Sequence, residues 1–98
     1  MDMDALIAQA AELQNKVAAA QDQLAQTTVK GIADGGACIV DMTGKYEMLK
    51  ITIRPDVLTQ GASAVEQVVM AAYQDAKQKA DTVIDQVMGA ATAGVPMP

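Results

Sequence analysis

From Met3 to Gln26 neither glycine nor proline occurs, and the apolar residues recur every seven positions. Met3, Ala10, Val17 and Leu24 fall seven apart, and Leu6, Leu13 and Ala20 lie between them. A stripe of this kind over three heptads predicts one long helix whose seam must be covered by another helix. The seam is flanked by Ile7, Gln14 and Gln21 on one side and by Gln9, Lys16 and Gln23 on the other. That edge is nearly uncharged and offers little ionic selection of a partner.

From Thr27 the pattern changes. In "TTVKGIADGGACIVDMTGKYEMLKITIRP" β-branched residues are broken by turn residues at Asp34-Gly35-Gly36 and Thr43-Gly44-Lys45, which predicts a three-stranded antiparallel meander. In the second strand Cys38, Val40 and Met42 share one face, opposite Ala37, Ile39 and Asp41. In the third, Glu47, Leu49, Ile51 and Ile53 share a face, opposite Tyr46, Met48, Lys50, Thr52 and Arg54. Pro55 ends that strand because it has no N–H for the ladder. After a loop, Ser63-Ala64-Val65-Glu66 fits a capping box, and an apolar stripe containing Val69 and Tyr73 predicts a helix to about Met88. Gly89 reads as the stop, so residues 1–88 are expected to form one domain and 89–98 a flexible tail.

The order is α-β-β-β-α, an α+β chain with two long helices. Helices of about 24 residues are about 36 Å long, whereas a seven-residue strand covers about 23 Å. Both helices must overhang the sheet, and their stripes run on into the overhang. The simplest cover is a symmetric partner, which would give a clamp-like homodimer. Leu6, Leu13, Val17, Leu24, Leu49, Ile51, Ile53, Val69 and Tyr73 are the residues expected in the core or at the dimer contact.

Composition narrows the function. Two tyrosines are the only aromatic residues among 98, so alanine and methionine must fill the core. With no histidine and one cysteine, ordinary zinc sites, His-based triads and internal disulfides are excluded, and a reducing intracellular setting is expected. Cys38 reads as a buried structural thiol. "DGG" at 34–36 lacks the spacing and the lysine of a phosphate loop, and the acids show no metal-loop spacing. The sequence therefore points to no enzyme, no cofactor and no metal. It also points to no membrane span, since no apolar run reaches about 18 residues. Seven basic against twelve acidic residues give a formal charge of -5, so any grip on an anionic polymer must come from a local basic patch.

Four features in order resemble the YbaB/EbfC family of bacterial nucleoid-associated DNA-binding proteins. They are the Gln/Ala/Met-rich first helix, "VKGIADGGACIVDMTGK", "ITIRPDVL" and "VVMAAYQDAKQKAD", together covering about Met3 to Gly89. The resemblance implies a tweezer-shaped homodimer that binds double-stranded DNA with little sequence preference, with both helices lining the DNA-facing side. It also implies a cytoplasmic location on the bacterial nucleoid and a role in nucleoid organisation and gene expression. The chain departs from the family pattern in its first helix, where Lys16 is the only basic residue.

Candidate DNA contacts follow. Lys50 and Arg54 lie on one strand face about 13 Å apart, far enough to reach different phosphates, and Lys45 precedes them at the turn. Lys77 and Lys79 sit late in the second long helix, each four residues from an acid, in the pairs Asp75–Lys79 and Lys77–Asp81. Lys16 is the single cation of the first helix. Each also has an ordinary role, as a solvated strand face, an intrahelical pair or a stem covering the seam. The competing function is a protein–protein adaptor of the same fold, with an unidentified protein partner and weak or no DNA binding.

Overall fold

Asp2 opens the first helix, α1 (Met3–Gln26), by accepting the Asp4 N–H on its Oδ1 at 3.1 Å. Thr27 closes it, its N–H donating to the Leu24 carbonyl and its hydroxyl to the Gln23 carbonyl. A computed structural model describes residues 2–92, which continue as β1 (Thr28–Ala33), β2 (Cys38–Thr43), β3 (Met48–Ile53), a single turn α2 (Pro55–Leu58) and α3 (Ala62–Thr92). The α-β-β-β-α order and the antiparallel sheet β1-β2-β3 agree with the sequence reading. The added turn α2 stands where a loop was expected and starts on Pro55, whose fixed φ suits a first helical position.

α3 lies across β1 and β2 and approaches them closely. Ala72, Ala76 and Ala80 are fully buried along its contact face. Gly31 in β1 leaves room for the crossing: a Cβ there would stand 2.0 Å from the Ala72 carbonyl oxygen and 2.5 Å from the Ala76 nitrogen. Beneath the helix, Cys38, Val40 and Met42 are fully buried, and Ala33, Ala37, Val57 and Val68 complete the core. Few aromatic residues are needed because the layers nearly touch through alanine and glycine. Leu24 and Ala20 are buried separately, where α1 meets the β2–β3 turn and the end of α3.

β3 departs from the expected alternation. A bulge at Asp41/Met42 pairs Met42 with Met48, while Asp41 still faces Lys50. Leu49 is the extra residue, and Met48 replaces it opposite the core strand. Because α3 does not extend over most of β3, Met48 to Thr52 are exposed and only Ile53 packs against the core. Leu49 is 56% exposed, and Ile51, Tyr73 and Leu6 are also exposed in the single chain, not buried in its core. Of the remaining expected core residues, Leu24 is buried and Leu13, Val17, Ile53 and Val69 are half-buried.

Both ends of α3 differ from the sequence reading. It begins one residue before Ser63, which therefore lies inside the first turn and not at the cap. Gly61, at φ 100, turns the chain out of α2, and its carbonyl accepts the Val65 N–H at 3.3 Å. At the other end the helix runs through Gly89 to Thr92. One interior glycine costs a helix only about 1 kcal/mol, and the alanines that follow favour continuation. The expected tail thus begins with helix, and residues 93–98 lie outside the described residues. The overhang expected from element lengths is present: the molecule measures 68 × 17 × 16 Å. α1 and the last turns of α3 form a two-helix arm beyond the sheet, with Ala19 and Ala20 facing Val87 and Ala90 across a shared groove.

Candidate nucleic-acid interface

The sheet face away from α3 is built by strand register. Lys30 pairs with Asp41 across β1–β2, and Asp41 with Lys50 across β2–β3, so the three side chains form a row over the sheet. Lys30 Nζ binds Asp41 Oδ1 at 2.8 Å. Among the described residues Lys50 has no ion-pair partner within 4 Å, and neither do Lys45 at the β2–β3 turn or Lys77 on α3. Lys77 shares a helix face with Tyr73 and Asp81, the flank of α3 that turns toward β3. Contact on that flank is fixed by the Tyr46 hydroxyl donating to the Asp81 carboxylate. The unpaired ammoniums therefore lie at the β2–β3 turn, on the outer face of β3 and on the β3-side flank of α3.

The remaining candidates are engaged. Arg54 Nε donates to Asp56 Oδ1 at 2.5 Å. That bond holds the guanidinium above its usual pKa and the Asp56 carboxyl below its own. Lys16 meets Glu12 at 3.3 Å. Lys79 bridges Asp75 at 2.9 Å and the Lys30 carbonyl at 2.8 Å. Asp75 in turn accepts the Ile32 N–H at 2.8 Å, and that bond, followed by the one from Lys79, depresses its pKa. Together Asp75 and Lys79 cap the outer edge of β1. Exposed pairs of this kind are weak and can be exchanged for phosphate, but Lys79 has a structural duty that Lys45, Lys50 and Lys77 lack.

Lys30 carries no mark of this role in the sequence. Its signal is visible only after strand pairing, because nothing in "TVKGIA" by itself shows that Lys30 lies two strands from Lys50. The sequence does not mark Tyr46 either: it holds the β2–β3 turn at φ 65, and its hydrogen bond to Asp81 raises its pKa. Cys38 is fully buried and its thiol pKa is pushed up by that burial, which suits a structural role. Among the described residues no group of His, Cys, Asp and Glu gathers that could hold a metal, and no helix is long and apolar enough to cross a membrane.

Charge is divided along the molecule. Residues 27–80 contain six cations and six acids. The arm, together with Asp81 where Tyr46 binds it at the arm's base, carries the whole net charge of -5, from Asp2, Asp4, Glu12, Asp22, Asp81 and Asp85 against Lys16 alone. An elongated α-β-β-β-α chain with this strand and helix grammar has a defined set of relatives. The profile of the YbaB/EbfC DNA-binding family matches residues 1–95.

The chain belongs to the YbaB/EbfC DNA-binding family.

Its similarity to individual YbaB/EbfC relatives extends over almost the full length. It is 38% identical over 93 residues to a nucleoid-associated protein of Bordetella avium (strain 197N), covering 95% of this chain and 86% of that protein. It is 39% identical over 93 residues to a nucleoid-associated protein of Xanthomonas campestris pv. campestris (strain B100), covering 95% and 87%.

Proposed function

We propose that this YbaB/EbfC chain is a homodimeric nucleoid-associated protein that holds double-stranded DNA, with little base preference, against the outer face of its sheet and not between its arms. The observation that carries this reading is the division of charge. The cations without ion-pair partners, Lys45, Lys50 and Lys77, surround β3, while the arm is negative. A duplex carries one phosphate charge per about 1.7 Å of axis and is repelled by such an arm. Lys30, and Arg54 once released from Asp56, extend the same surface. Contacts of this class go to phosphate and position the protein without reading bases.

The dimer is assigned to the other property of β3. Asp75 and Lys79 cap the β1 edge, so β3 is the sheet edge left open, and Met48, Leu49 and Ile51 are exposed along it with Tyr73 on the adjacent flank of α3. A two-fold contact there covers these apolar groups and brings the two Lys50 side chains into one surface. Association with the nucleoid and effects on gene expression follow from DNA binding of this kind.

Fluorescence anisotropy of a labelled duplex at several salt concentrations tests the reading. Log affinity is expected to fall linearly with log salt, with a slope near -0.9 per phosphate neutralised. The Lys50→Ala/Arg54→Ala variant should bind all sequences more weakly, and wild-type affinity in that variant would sink the strand surface. The adaptor reading is favoured by the acidic arm. It would prevail if a folded dimer bound no duplex at low salt and retained a stable protein partner.

A further inference from the structure

The first three turns of α1 have no partner among the described residues. The α1–α3 groove ends where Lys16 faces Ala90 and Ala91, and the ten residues before Leu13 continue past it for about 15 Å. Their apolar stripe is in the open: Met3 is 71% exposed, Ile7 64% and Leu6 41%. A helical segment this short is marginal in water without packing, so the stripe calls for a cover.

We infer that the tip of α1 pairs with the tip of α1 from a second copy, and that this contact joins dimers to one another. Three observations select this occupant. Asp4 and Glu12 occupy outward heptad positions, and Asp2, which flanks the seam just before Met3, falls opposite Gln14 in an antiparallel pair, so two identical tips meet without like charges opposed. An antiparallel pair centred on Ala8 sets Met3 against Leu13 and Leu6 against Ala10, a large residue against a smaller one in the middle layers, and repeats both by symmetry. Third, Met3 lies 21 residues, or about 32 Å, along the helix from Leu24 at the β2–β3 turn, so pairing at β3 leaves the tip uncovered.

The pair has four layers, well short of the three to four heptads that sustain an independent coiled coil. It is weak between dilute molecules and closes when neighbours bound to the same or adjacent DNA hold the tips at high local concentration. Two isologous contacts at opposite ends of one chain generate open strings of dimers, which tie duplexes together. The bridging of DNA rests on the function proposed above, whereas the pairing of tips does not.

The test uses the full chain, a duplex fixed to beads and a second, labelled duplex. Wild type is expected to retain the second duplex. Met3→Gln/Leu6→Gln changes only exposed side chains and should lose that retention by about tenfold or more, as expected for removing the chief apolar gain of the pair. Its binding to one short duplex by anisotropy should be unchanged. Retention equal to wild type, or an equal loss of single-duplex binding, would overturn the proposal. If wild type binds no duplex at all, the DNA reading has failed and sedimentation of the protein alone decides the inference. Species larger than a dimer at rising concentration, absent from the variant, support it; their absence from wild type up to millimolar protein overturns it. A chain ending at Thr92 that associates more strongly than the full chain also overturns it, because the chain's own last residues would then be the cover.

Discussion

Asp41 lies between Lys30 and Lys50 and holds the first at 2.8 Å, with its carboxylate only 19% exposed. It is the one negative charge in the row expected to face phosphate. Asp41→Asn should strengthen duplex binding by about 0.5–1 kcal/mol, the scale of single exposed charge interactions, or two- to fivefold. An anisotropy titration that finds weaker binding would remove the row from the interface. Gly31 acts on stability instead. Gly31→Ala drives a methyl into the α3 backbone, which cannot step aside as a side chain could. The usual overpacking penalty of about 1–3 kcal/mol is therefore a lower bound, to be read from urea unfolding. Of these roles only the residue types were legible in "VKGIADGG". The strand pairing of Lys30 and the helix pressed on Gly31 come from segments far along the chain.

The Asp75–Lys79 clamp gives α3 control of the outer edge of β1 at the level of whole elements. The Asp75 carboxyl is held below its ordinary pKa, so the stabilisation is present above the unfolded value and is lost as pH falls through the folded one, below about pH 4. Hydrogen exchange by NMR should show the Ile32 amide losing protection in that window, and Asp75→Ala should remove its extra protection at neutral pH. If the Ile32 amide exchanges equally in wild type and variant, the clamp does not close in solution. Tyr46 works in the opposite direction of pH. Its raised pKa means that the turn-to-helix bond stabilises below the unfolded value near pH 10 and is lost as pH rises through the folded one. Element types and order were readable because heptad and alternating patterns have different periods. The bulge that exchanges Leu49 for Met48 was not readable, since one extra residue on one strand is defined only by its partner strand. The start of α3 at Ala62 depends on Gly61 reaching positive φ, which competes with the capping signal of Ser63 and Glu66.

For the whole molecule, the overhang was legible from lengths alone, and the division of charge required only knowing which segments form the arm. What the single sequence could not show was that α3 would leave β3 bare, because that depends on where the helix crosses the sheet. Under the proposed assembly, Leu49→Asp should convert a dimer to a monomer in light scattering, and a dimer that persists would move the contact elsewhere. The 68 Å length has a further consequence. At physiological ionic strength the field of the phosphates is screened within about 8 Å, a fraction of the roughly 30 Å by which the arm stands off the sheet. Under the proposed binding mode, with the arms directed away from the duplex, a covered duplex would become a bottle-brush. Its core would obey polyelectrolyte rules, while its bristle ends would meet other molecules as though the DNA beneath carried no charge.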